Sequence, residues 1–170
     1  MTVGELSTRA PKPLRTLYSV YMTQMNKMTN KLPAGTYYVG DLCYVVPDDD
    51  WRKFCDRMFP DGYPVGGVKE MADGIKYADF CTKYGDGVFG DYYAGGAYMV
   101  DSGSIGCIPM CALHPDLSHD EVRDFGNIVS FDEAFEVGYD DVTGTITFGD
   151  IHIVTGEDDE EDYDCEEDDQ

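Results

Sequence analysis

Basic residues are scarce in this sequence: 12 Lys and Arg stand against 34 Asp and Glu, which gives a net charge of −22. A surface of that sign repels nucleic-acid phosphates, so direct binding of DNA or RNA is a poor hypothesis. The chain also lacks an apolar run near the roughly 20 residues of a membrane-spanning helix, and it lacks the charged-then-apolar start of a secretory signal. We therefore expect no membrane association and a cytoplasmic location.

The six cysteines are too widely spaced for the dense disulfide framework of a small secreted domain, so we expect reduced thiols. Cys107, Cys111, His114 and His119 offer ligand types for zinc, but two residues between Cys111 and His114 leave little chain to wrap a tetrahedral site. Cys43 would need a nearby base to act as a nucleophile, but the chain's three histidines are at positions 114, 119 and 152. We therefore expect Cys43 to be a buried structural thiol. We expect no metal and no cofactor.

The charge is distributed unevenly and divides the chain into three parts. Residues 1–31 carry five basic residues against one acid, residues 157–170 carry 11 acids and no base, and residues 32–156 have a net charge of −15. This pattern predicts a basic N-terminal arm, a folded domain over 32–156, and an acidic tail over 157–170 that self-repulsion keeps disordered. Apolar residues at helical spacing predict a helical arm over 14–28 that packs on the domain or on a partner. They are Leu14, Leu17, Tyr18, Tyr21, Met22, Met25 and Met28.

The part from 32 to 156 has the pattern of short antiparallel strands. The run Gly35–Val46 is rich in β-branched and aromatic residues, and Gly40 inside it predicts a bulge or a bend. Glycine-containing turn signals then recur about every 8–12 residues, which is typical of a β-sandwich or barrel. The further predicted strands cover residues 65–71, 75–84, 88–93, 97–101, 104–112, 127–131, 134–138, 145–148 and 151–154.

Two short helices are predicted within this mainly β domain. The first has apolar residues at i, i+3, i+4, i+7 and i+8. Asp48–Asp50 precede them as a cap, where the positive end of the helix dipole stabilises their carboxylates. The second begins at Ser118, which forms a capping box with Glu121, and ends at Gly126. The apolar stripe of the first helix consists of Trp51, Phe54, Cys55, Met58 and Phe59.

Three segments give the chain a resemblance to a family. These are YYVGDLCYV at Tyr37–Val45, KYGDGVF at Lys83–Phe89 and VDSGSIGCIP at Val100–Pro109. In them the chain resembles a set of small proteins of bacteria and of large DNA viruses or phages, over about residues 35–155. That set brings no known activity, so the resemblance implies a viral or mobile-element setting and no site residue.

Two patterns point to chemistry or binding. Met99–Ser104 is similar to the catalytic signature of aspartic proteases, in which an aspartate such as Asp101 shares a proton with a second one. Asp41, Asp86, Asp91 and Asp101 all lie in glycine-flanked turns. If these turns meet at one end of the fold, they form an acidic mouth for a cation or a basic peptide; otherwise they reflect only how common aspartate is in turns.

Three functions therefore remain open at this point. The first is a non-enzymatic interaction module whose acidic surface engages a basic protein partner. The second is a DNA mimic that occupies the nucleic-acid site of another protein. The third is an aspartic-protease-like hydrolase that uses Asp101.

Overall fold

The computed structural model describes residues 30–91 and 96–156. The predicted helical arm over 14–28 and the acidic tail over 157–170 lie outside these residues. Within them the fold is mainly β, with antiparallel sheets and two helices, as predicted. The described sheets stay open at their edges, so of the two predicted architectures the closed barrel is wrong.

Eleven strands and two helices make up the described part of the chain. The helices are α1, Asp48–Met58, and α2, His119–Phe125, and one-turn 3₁₀ segments cover Leu42–Tyr44 and Met110–Ala112. No helix in the described ranges is long and apolar enough to cross a membrane. The strands are β1 Lys31–Leu32, β2 Gly35–Gly40, β3 Gly67–Glu70, β4 Lys76–Cys81, β5 Gly87–Gly90, β6 Ala97–Val100, β7 Ser104–Pro109, β8 Gly126–Phe131, β9 Phe135–Asp140, β10 Thr145–Phe148 and β11 Ile151–Val154.

The central sheet has five strands in the order β3-β4-β7-β2-β8. Its strand β2 lies in the interior, with Val39 opposite Cys107 on one side and Asn127 on the other. A second sheet has the order β1-β9-β10-β11, and the β5-β6 hairpin joins it through a bridge between Asp91 and Ile153.

Both faces of the central sheet are buried. Successive side chains of a strand point to opposite faces, so Tyr37 and Tyr38 belong to different cores, and both are fully buried. The Tyr37 face packs against the second sheet and the hairpin, including Phe148. The Tyr38 face packs against the helices, through Phe54 and Val122. The molecule is thus a sandwich of sheets with the two helices on its outer face.

Several predicted boundaries are corrected by local chemistry. The strand predicted through Val46 ends at Gly40, because the side chain of Asp41 accepts a hydrogen bond from the Cys43 amide and starts a 3₁₀ turn. The cap of α1 is Pro47, without a side-chain hydrogen bond, and Asp48–Asp50 form the first turn instead. These acids still lie at the positive end of the helix dipole. The capping box that begins at Ser118 is confirmed.

Candidate functional site

The four aspartates predicted to form an acidic mouth do not all come together. Asp41 is fully buried, Asp91 is 5% exposed, and Asp86 and Asp101 are exposed. Asp41 accepts hydrogen bonds from the turn at 101–102, and an Asp86 oxygen lies 3.7 Å from where a side chain on Gly103 would begin. Asp91 follows β5 whereas Asp86 precedes it, so five residue steps, roughly 16 Å of extended chain, separate the two. Three of the four acids therefore surround one turn, and Asp91 lies apart.

Asp41 is committed to holding the fold together. Its Oδ2 accepts hydrogen bonds from the Asp101 and Ser102 amides, both at 2.8 Å. Its Oδ1 accepts from the Ser102 hydroxyl at 2.6 Å and from the Cys43 amide at 3.0 Å. An ionised carboxylate has about four lone-pair sites, so these donors saturate it. Asp41 joins the 42–44 turn to the 101–103 turn and has no oxygen left for a ligand.

Asp101 lies on the surface of that same turn. Its carboxylate accepts a hydrogen bond from the Tyr44 hydroxyl. An aspartic protease needs two carboxylates that share one proton, and Asp41 cannot be the second because its oxygens are already engaged. In a single-lobed protease the second aspartate comes from a dimer mate, so the protease hypothesis stays a prediction.

Cys43, beside these acids, is held as a thiol. Its side chain is half-buried, and burial raises its pKa far above the ordinary value. The hydrogen bond to Asp41 and the charges of Asp41, Asp101 and Asp86 raise the pKa further. Only the thiolate is a good nucleophile, so this position is unsuited to covalent catalysis.

Metal-ligand types are scattered over the described ranges. Cys107 lies in the core, whereas Cys111 and His119 are exposed. No group of three or more His, Cys, Asp or Glu within residues 30–91 and 96–156 is placed to hold a metal ion.

Four exposed carboxylates of the described ranges line a groove between the start of α1 and the loop that leads into α2. This acidic groove has a volume of about 600 Å³ and is lined by Cys43, Tyr44, Val46, Pro47, Asp48, Asp49, His114, Asp116, Leu117 and Glu121. Four of these are carboxylates, and no lysine or arginine of the described ranges is among them. Tyr44, Val46, Pro47 and Leu117 supply apolar surface between the acids. The groove therefore has carboxylates on both of its walls, the start of α1 and the loop into α2, together with some apolar lining.

Local chemistry positions each wall of the groove. Asp48 and Asp49 lie in the first turn of α1, directly after Pro47. On the other side, the Ser118 amide donates to the Glu121 carboxylate at 2.8 Å, and this contact lowers the pKa of Glu121. Glu121 is therefore ionised, and its direction is fixed by the capping box.

The two walls are tied to each other and to the 101–103 turn. The His114 amide donates to the Val45 carbonyl at 2.8 Å, and this bond holds the loop that leads into α2 against the 42–44 turn. Tyr44 stacks on Phe125 of α2 with ring centroids 4.9 Å apart, while its hydroxyl contacts Asp101. The negative surface thus continues from the groove to Asp101.

The sequence prediction missed this groove. It assigned Asp48–Asp50 to a helix cap and Glu121 to a capping box. The available signal was that both predicted helix starts carry acids.

No family model, curated protein or solved structure matches this chain. The function must therefore be inferred from the geometry and charge of the chain itself.

Proposed function

We propose that the protein is a non-enzymatic interaction module that binds a basic segment of a protein partner in the acidic groove. The observation that carries the proposal is the convergence of four exposed carboxylates on one groove whose lining also includes apolar side chains. Lysine and arginine have the matching chemistry, since each has an apolar stem and a cationic head. The stems would pack on Tyr44 and Leu117 while the heads meet the walls.

The net charge supports the same function through the rate of association. At −22, the molecule attracts a basic partner over distances up to a Debye length, which is about 8 Å at physiological ionic strength. Asp86 and Asp101 extend the negative surface beyond the groove. Such long-range attraction raises the association rate and depends strongly on salt.

We place the protein in the cytoplasm of a cell, in a bacterial or viral setting. The free thiols among the described residues suit a reducing compartment. The resemblance of Tyr37–Val45 and of the other two segments supports the proposed setting. Detection of the native protein in a fractionated cell would test both the setting and the location.

The proposal is tested by titrating the full chain with a labelled peptide of alternating lysine and serine and following fluorescence anisotropy. Four substitutions neutralise the groove. Each exposed ion pair contributes about 0.2–1 kcal/mol, so we expect the four together to remove about 2 kcal/mol and to weaken binding about 30-fold. The groove variant carries Asp48→Asn, Asp49→Asn, Asp116→Asn and Glu121→Gln.

A matched control removes the same charge from exposed acids outside the groove. We expect it to weaken binding only a few-fold, through the change in net charge alone. A chain that ends at Gly156 lacks the acidic tail, so its affinity for the peptide shows how much of the binding comes from the tail. Equal losses in groove variant and control, or a loss on tail removal alone, would contradict the groove as the binding site. The control carries Asp56→Asn, Asp61→Asn, Asp141→Asn and Asp150→Asn.

A DNA mimic is the special case in which the partner is itself a nucleic-acid-binding protein. Competition separates this case from the general one: once a partner is captured, duplex DNA should displace a DNA mimic from it. A partner that binds DNA and this protein at the same time would refute the mimic.

A further inference from the structure

Another groove has the opposite chemistry. This apolar groove has a volume of about 750 Å³, and Leu32, Pro33, Ala34, Ile75, Pro109 and Met110 contribute to its lining. Its charged lining residues are Lys31 and Lys76, and no acid of the described ranges lines it. The chain has 34 acids, so a concave surface without a carboxylate is unusual in it. Apolar side chains can be buried in this groove without the free-energy cost of removing a carboxylate from water.

Exposed acids lie next to two of the residues that line the apolar groove. Asp73 is exposed in the β3-β4 turn, next to Gly74, which lines the groove. Asp132 and Glu133 are exposed in the β8-β9 turn, next to Ala134, which also lines it. An apolar lining with acids beside it complements an amphipathic helix whose polar side is basic.

The chain itself contains a segment with that pattern. Residues 1–29 lie outside the described ranges, and this segment ends within two positions of Lys31, a lining residue of the groove. Between 14 and 28 its apolar residues recur at helical spacing, and Arg15 and Lys27 fall between them. A helix of that length would measure roughly 22 Å.

We propose that the apolar groove is the docking site of the chain's own N-terminal segment, residues 14–28. Its apolar stripe lies against the apolar lining, and its basic residues face Asp73, Asp132 and Glu133. The short connection through Asn30 gives the segment an effective concentration in the millimolar range, so it outcompetes a separate molecule. This proposal is independent of the acidic groove and of its partner.

Cys111 reports whether the groove is occupied. It lines the groove, and its side chain is exposed. The experiment alkylates the full chain with N-ethylmaleimide and follows each cysteine by mass spectrometry of its peptide. Cys43 is half-buried and is not among the residues that line the apolar groove, so its rate serves as the internal reference for an intact fold.

Two full-length variants are compared with the wild type. Leu17→Gln with Met25→Gln removes two apolar side chains of the stripe, and Thr16→Gln with Thr23→Gln changes two positions between them. We expect Cys111 to react about fivefold faster or more in the stripe variant than in the wild type and the control. Cys43 should react at one rate in all three.

Ile75→Asp alters the groove instead of the segment and should accelerate Cys111 in the same way. Equal Cys111 rates in the wild type and the stripe variant would show an open groove and overturn the proposal. Protection that falls on dilution, together with a dimer by analytical ultracentrifugation, would also overturn it, because the occupant would then be a second copy.

Discussion

Asp41→Asn is the substitution that most sharply separates a structural carboxylate from a binding one. Asp41 is fully buried and accepts four hydrogen bonds, three of them from backbone amides. Asparagine keeps the shape but replaces one acceptor oxygen with an NH₂ group, which is a donor. Whichever way the amide turns, at least one backbone N–H then faces another donor.

The magnitude follows from those contacts. Hydrogen bonds to a charged group contribute about 1.5–3 kcal/mol each, and the exchange loses one or two of them. We therefore expect Asp41→Asn to lower the free energy of unfolding by about 2–5 kcal/mol. Total stability of a domain is about 5–15 kcal/mol, so the loss is large enough to measure without ambiguity.

Urea denaturation provides the assay. Trp51 is the chain's single tryptophan and stacks near Phe54 with ring centroids 6.5 Å apart, so its fluorescence reports the packing of α1 on the sheet. Asp61→Asn, at an exposed turn, is the control and should stay within about 0.5 kcal/mol of the wild type. Ser102→Ala should cost about 1 kcal/mol, since it removes one donor to Asp41. If Asp41→Asn were as mild as the control, this carboxylate would not hold the two turns together.

Three further predictions test other parts of the structure. Burial raises the pKa of Asp79 to about 6 in spite of its ion pair with Lys69, so the folded state binds the proton more tightly than the unfolded chain does. The stability of the wild type relative to Asp79→Asn should therefore fall by about 2–3 kcal/mol as pH rises from about 4 to about 7, and a difference that does not change with pH would contradict this. Ser118→Ala should lower the midpoint of thermal unfolding by removing about 1 kcal/mol of capping energy, whereas Ser118→Asp should keep the cap. Gly126→Ala should cost about 1–3 kcal/mol in urea denaturation, because the new methyl carbon would lie 2.4 Å from the Val39 carbonyl oxygen, while Gly138→Ala, with nothing within 4 Å, should cost far less.

Local patterns account for what could be predicted from the sequence. The capping box at Ser118 needs only Glu121 three residues later, so it is visible in a short window. The strands are recognised from β-branched and aromatic runs between glycine turns, and most of their centres are where the pattern predicts them. Their ends differ, as at Asp41, where a side chain competes with the strand for the backbone.

Contacts between distant parts of the chain could not be predicted. Three of the four donors to Asp41 lie 60 or 61 positions away, so the sequence near Asp41 does not distinguish a buried acceptor from an exposed turn residue. The acidic groove likewise requires Asp48 and Glu121 to meet, which depends on both helices packing on the same face of the central sheet. Such a convergence follows from the tertiary fold, which the spacing of residues along the chain does not reveal.

An NMR titration of the ¹⁵N-labelled protein with the lysine-serine peptide shows whether the acidic groove binds basic segments of other proteins. We expect the amides of Tyr44, Asp48 and Glu121 to shift at low salt and to return toward their free positions at high salt, while that of Asp150 stays in place. Shifts spread evenly over the acidic surface, or absent from the groove, would contradict binding in the groove.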